Sequence, residues 1–189
     1  MIDNLLRLVP NFQLDDQCIV LADIYYSLQA FGETTDELHH PIVRLEDIHR
    51  TPTGTVEDRN QVAQECAAIE TSAEALWTSI WTNIYTCETY LSVIKKGEGV
   101  TGAFSNRDFC SILFLEDLEG EVVFPRLGKR FSPNVGDLLL FPGSRLFTHN
   151  IINVKAESCA MLKQWYSQYK TEEHPIRFLN ETNKFDPIK

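Results

Sequence analysis

The hydrophobic period of this chain changes once, near Cys87, and that change constrains the fold more than any other feature of the sequence. Between Asp15 and Ala30 the apolar residues Ile19, Leu21, Ala22, Ile24, Tyr25 and Leu28 recur at helical spacing, behind Asp15 and Asp16, which suit the positive end of a helix. A second helical stripe runs through Val62, Cys66, Ile69, Ala73, Leu76, Trp77, Ile80, Trp81 and Ile84, with Thr55 and Asp58 as a capping-box variant at its start. Trp77, Trp81 and Tyr85 then form an i, i+4, i+8 row, read as core and rim packing. After Cys87 the period falls to two. Strands are expected at Tyr90–Ile94, Phe109–Leu115, Glu121–Phe124, Asp137–Phe141 and Ser158–Tyr166, separated by Gly-rich or polar turns. Periodicity alone therefore gives an α+β chain of helices followed by an all-β region, and short strands at this spacing point to a sandwich or jelly roll.

The rest of the sequence narrows the function classes. One domain of 189 residues accommodates everything, with the polar stretch 170–189 as a surface extension or contact arm. A formal charge of −10 with no basic block excludes a nucleic-acid groove built on phosphate neutralisation. The opening MIDNLLRLVPNF has neither the basic nor the apolar region of a secretory leader, and no apolar run approaches the ~20 residues of a membrane span. A soluble protein of the cytoplasm is expected. Five scattered cysteines without a CxxC pair argue against a disulfide framework and against structural zinc. From Phe31 to Gly54 the chain reads as a loop, with one short strand around Ile42 to Leu45. No GxSxG, Walker loop, HExxH or GxGxxG after a strand occurs.

The segment Pro133–Trp165 carries the most specific motif. Pro133, Gly136 and Asp137 form a PxxGD turn, the apolar strand that follows ends in Phe141–Pro142, and His149 comes next. Together with the opening VPNFQLDDQC and the segment Leu118–Pro125, this resembles the prolyl-4-hydroxylase-like branch of the 2-oxoglutarate/Fe(II) dioxygenases. The resemblance implies a double-stranded β-helix (jelly roll) of eight strands, backed by the N-terminal helices. It also implies where iron and keto acid would be held. Iron in such sites takes two imidazoles and one carboxylate; in that family the first imidazole and the carboxylate arrive as His-x-Asp or His-x-Glu. None of the five histidines here is followed two places on by Asp or Glu. Counting from Gly99 places Ser105 and Arg107 at those positions, and a shift of one places Asn106 and Asp108 there.

His149 matches the second metal histidine and is the sole candidate metal ligand; it reads equally as a histidine near the pocket mouth bonded to backbone or water. Ten residues on, where the family has the Arg or Lys that pairs with the keto-acid carboxylate, stands Cys159, whose thiol cannot make that charged, forked contact. Lys163 shares strand parity with Cys159, but its Cα lies roughly 13 Å further along, too far to substitute directly. Donor-rich residues also gather in the early loop, at Asp36, Glu37, His39, His40, Glu46, Asp47 and His49, and Asp58 follows; solvation explains them most simply. The resulting expectation is a degenerate, non-catalytic member of the fold with neither iron nor 2-oxoglutarate as cofactor. It would act by binding a protein partner or by self-association, with no nucleic acid or membrane involved. The resemblance extends to compact viral copies, hence to a host-cytoplasm or virion location. Two alternatives stand beside it: an active Fe(II)/2-oxoglutarate hydroxylase of a protein or small molecule, its iron held by His149 with Asp108 or the His39/His40 loop, and a cupin-like metal or small-ligand binder without oxygen chemistry.

Overall fold

The computed structural model describes residues 5–29, 42–44, 56–81, 83–103 and 107–169. Ten strands and two helices follow one another as β1 (Arg7–Val9), α1 (Asp15–Gln29), β2 (Ile42–Arg44), α2 (Val56–Thr78), β3 (Tyr85–Lys95), β4 (Val100–Ala103), β5 (Phe109–Phe114), β6 (Glu121–Phe124), β7 (Lys129–Phe131), β8 (Leu138–Pro142), β9 (His149–Ile152) and β10 (Ser158–Ser167). A six-stranded sheet in the order β1-β8-β5-β10-β3-β2 faces a four-stranded sheet in the order β4-β9-β6-β7. Every pairing is antiparallel. This is the jelly-roll core expected from the sequence, with the helices laid on one side of the larger sheet.

Two apolar layers hold it together. Between helices and sheet, Cys18, Leu21, Ala22 and Tyr25 of α1 and Cys66, Ile69, Ala73 and Trp77 of α2 meet Leu91, Leu113, Leu138, Leu140 and Leu162. Between the sheets, Ile112, Phe114, Leu139, Phe141 and Met161 meet Val122, Phe124 and Ile151. The central strands are thus covered on both faces, and all six residues of β5 are buried. That is why FCSILF reads as a continuous apolar run instead of an alternation.

Several expectations need correction. Cys18 is buried on α1 while Ile19 is 53% exposed, because positions 18, 21, 22 and 25 share the inner face. The second helix ends at Thr78, well before Ile84. Past Thr78 the backbone tightens, with the Ile80 and Trp81 N–H groups both donating to the Trp77 carbonyl at 2.9 and 2.8 Å, while the Thr78 and Ser79 hydroxyls donate to the carbonyls of Ala75 and Leu76 at 3.0 and 2.6 Å. Asn83 then turns the chain at φ 60°, and Tyr85 opens β3, so it belongs to a strand and not to the tryptophan row. Strands β1, β4, β7 and β9 are three or four residues long, too short to show a period of their own. Thr55, most of the Phe31–Gly54 loop and the 170–189 arm lie outside the described residues.

Candidate functional site

The interior of the barrel is lined by alternate residues of the long strands. Tyr90, Ser92 and Ile94 of β3 lie opposite Lys163, Met161 and Cys159 of β10, and directly opposed residues share a face. Met161, Ile94 and Cys159 belong to the inter-sheet core, so Tyr90, Ser92 and Lys163 face the same way. His149 enters from the smaller sheet. There β4 pairs with β9 through a bulge that takes Val100 opposite Ile151 and Ala103 opposite His149. Gly102, at φ 70°, supplies the turn of that bulge, and its N–H donates to the Asn150 Oδ1 at 2.7 Å.

His149 is only 6% exposed and lies against the rings of Phe141 and Phe124, with centroids 4.9 and 5.5 Å away. Its Nδ1 is buried without a hydrogen-bond partner. Burial first and the Lys163 ammonium second push the imidazole pKa down to about 4, against the opposing effect of the Phe147 carbonyl. The ring is therefore neutral at neutral pH. An unfolded histidine titrates near 6.5, so the unfolded chain binds a proton that the folded one refuses. Stability from this group is full above that value and is lost as pH falls toward 4. Between pH 7 and pH 5 we expect a loss of about 2 kcal/mol that His149→Leu does not show. Urea midpoints of both proteins at the two pH values check this; parallel losses would contradict it.

Lys163 is the group that sequence reasoning set aside and the structure brings forward. It too is 6% exposed, with its Nζ 5.8 Å from the centre of the Tyr90 ring. Strand register turns it to the same sheet face as Met161 and Cys159, and its charge lowers the pKa of both His149 and Cys159. Strand parity puts it on the same face as Cys159; distance along the strand is what set it aside. Cys159 itself is a buried thiol whose Sγ donates to the Glu116 carbonyl at 3.3 Å. Burial raises its pKa, and Glu116 and Asp117 raise it further, so it stays protonated.

The other candidates do not converge on His149. Asp108 accepts from the Ser167 hydroxyl at 3.0 Å and the Gln168 N–H at 2.8 Å, which ties it to the end of β10. Arg107 is exposed. Ser105, Asn106 and the His39/His40 loop lie outside the described residues. Among the described residues no three His, Cys, Asp or Glu side chains gather closely enough to hold an ion. The iron expected from the fold needs two imidazoles and a carboxylate. The described barrel wall offers one imidazole and, beside it, an ammonium. These residues do not fit iron.

A surface depression of about 870 Å³ lies away from these residues, lined by Asp117, Glu119, Glu121, Asn134 and Asn153 among others. Two of its carboxylates are engaged locally. Asp117 accepts from the Val135 N–H at 2.8 Å, and Glu121 pairs with Arg130 at 3.2 Å.

No family model matches the chain, and no curated protein matches it in sequence. Solved structures do match. A viral collagen prolyl hydroxylase from Paramecium Bursaria Chlorella virus-1, solved with 2OG, aligns with a TM-score of 0.64 at 14% identity over 87% of this chain and 96% of that one. A Pseudomonas putida prolyl-4-hydroxylase aligns at 0.61 and 16% identity, over 87% and 93%. A Trichoplax adhaerens prolyl hydroxylase, solved with a hypoxia inducible factor peptide, aligns at 0.63 and 14% identity, over 87% and 84%. Two facing antiparallel sheets, a PxxGD turn feeding an apolar strand and a histidine opening the strand after it agree with those matches: the chain has the double-stranded β-helix fold of the prolyl-hydroxylase-like 2-oxoglutarate/Fe(II) oxygenases.

Proposed function

We propose that this chain is a non-catalytic member of that fold, working by binding or assembly and not by Fe(II)/2-oxoglutarate chemistry. The observation that carries the reading is the buried ammonium of Lys163 beside His149, whose imidazole is the only one among the described residues. A divalent ion at His149 would have to settle next to a fixed positive charge at low dielectric, where repulsion between like charges is poorly screened. The thiol at Cys159 removes the forked cationic contact for a keto-acid carboxylate.

Binding in this reading uses the outer surface, toward a protein partner or a second copy of the chain. Leu14, Ile19 and Val20 are exposed at the start of α1, at 71%, 53% and 38%, and Trp81 and Leu146 are exposed elsewhere. No helix among the described residues is long and apolar enough to cross a membrane. A cytoplasmic place of action, in a cell or in a virus-infected host, belongs to the same proposal.

Metal analysis tests it. Protein equilibrated with Fe(II) or Mn(II) and desalted is expected to retain well below one ion per chain and to form no succinate from 2-oxoglutarate above the protein-free blank. Stoichiometric metal, with turnover abolished by His149→Ala, would overturn the reading.

A further inference from the structure

We infer that the outer face of α1, with the acidic depression beside its start, docks a basic amphipathic segment of a partner protein, one that sets Lys or Arg next to aliphatic side chains. The inference rests on the binding reading above and names the partner's chemistry.

The outer face of α1 is apolar where a surface helix is ordinarily polar. Ile19 and Val20 are 53% and 38% exposed on the side of the helix opposite the buried Cys18, Leu21, Ala22 and Tyr25, and Leu14, just before the helix, is 71% exposed. Acidic residues frame this apolar step. Asp16 and Asp23 are exposed at three positions before Ile19 and three after Val20, so they share its side of the helix, and Asp15 is exposed at the first turn.

The depression continues the same surface. One turn holds the two together: the Gln13 N–H donates to the Gly136 carbonyl at 3.1 Å, and the neighbouring Val135 N–H donates to Asp117, on the wall of the depression, at 2.8 Å. That wall carries Asp117, Glu119 and Glu121 against a single cation, Lys155. Glu121 is paired with Arg130, and Asp117 is held by Val135, while Glu119 is exposed on a residue at φ 45°. A carboxylate that accepts one N–H keeps its charge and further lone pairs.

Charge selects the occupant. A second copy related by a twofold axis lays this face on itself, so carboxylates meet carboxylates. An anionic lipid surface meets the same repulsion. A neutral apolar segment covers Ile19 and Val20 but brings no counter-charge to the aspartates around them. A segment with cations beside its aliphatic residues satisfies both, and the net charge of −10 draws it toward the chain.

Fluorescence anisotropy on the full chain tests the surface, with a labelled amphipathic lysine–leucine peptide of about fourteen residues as probe, in about 0.15 M salt. Saturable one-to-one binding is expected, weakened about tenfold or more by Leu14→Ser combined with Ile19→Ser, and as strongly by Glu119→Lys. These side chains are exposed, so the variants keep the fold. Leu146→Ser, at an exposed apolar residue before β9, should leave the affinity unchanged. A lysine–serine peptide of the same charge should bind at least about tenfold more weakly. Absence of saturable binding, an affinity unchanged in either variant, or equal binding of the lysine–serine peptide would overturn the proposal. Self-association of the chain alone that is lost with Leu14→Ser and Ile19→Ser, or capture by phosphatidylserine vesicles, would overturn the choice of partner. Retained iron in the metal experiment would instead overturn the non-catalytic reading, so the two failures are distinguishable.

Discussion

Replacing Trp77 by alanine should cost about 3–5 kcal/mol, the largest loss expected from any single side chain of the described core. Trp77 is fully buried on the inner face of α2, the bulkiest of the side chains with no exposure. Its ring sits 4.7 Å from that of Phe109 at the start of β5, and Trp81 covers the same phenyl ring at 5.9 Å. Truncation would open a cavity between helix and sheet where neither rigid element can collapse into it. Trp77→Phe separates shape from polarity. The indole Nε1 is buried without a hydrogen-bond partner, so phenylalanine removes an unsatisfied donor while keeping most of the ring contact. A loss below about 1.5 kcal/mol is expected for that variant. Chemical denaturation of both variants measures the difference. Equal losses would show that the indole bond is made after all.

Gly136→Ala should cost about 2–4 kcal/mol, more than any other glycine in the described β region for which the neighbouring space is open. Gly136 has φ 80°, a conformation that an L side chain resists. A Cβ there would also fall 2.4 Å from the Gln13 carbonyl oxygen, inside any tolerable contact. The backbone cannot yield without breaking its own bonds. Gly136 accepts from the Gln13 N–H at 3.1 Å and donates to the Phe114 carbonyl at 2.8 Å. The neighbouring Asp137 accepts from Asn11 N–H at 3.0 Å and Asn134 N–H at 2.9 Å. The turn therefore fastens the approach to α1 to the ends of β5 and β8 in the large sheet. Gly128 is the matched comparison, since at φ 61° it meets nothing within 4 Å. Gly128→Ala should cost only about 1 kcal/mol. Comparable urea midpoints for the two variants would mean that the approach of Gln13 is not fixed.

The PxxGD motif was recognisable in the sequence because it is local, and its structural use follows from backbone geometry that only glycine and a short carboxylate supply. The two helices and the four longest strands, β3, β5, β8 and β10, were legible for a similar reason. Their burial repeats within the segment, at 3.6 or at 2 residues, so each window of sequence holds its own answer. The helix extended past Thr78 in the sequence reading because Ile80, Trp81 and Ile84 keep an apolar spacing even after the chain has turned. The helix closes on a tightened last turn in which Ile80 and Trp81 share the Trp77 carbonyl, and such backbone bonds leave no periodic trace. The four-residue strands β4 and β9 escaped because VTGA and HNII carry no apolar alternation that sets them off from their flanks, yet they are the ones that position His149.

The sequence by itself determined the two helices, the main strands that follow them and the absence of any His-x-Asp pair, since each depends on residues close together in the chain. Only the tertiary structure decided what stands beside His149. Lys163 follows it by fourteen positions and reaches the same space from the opposite sheet, while Ser92 precedes it by more than fifty. Which side chains share the inside of a barrel is set by strand order and register, properties of the whole sheet that no single segment encodes.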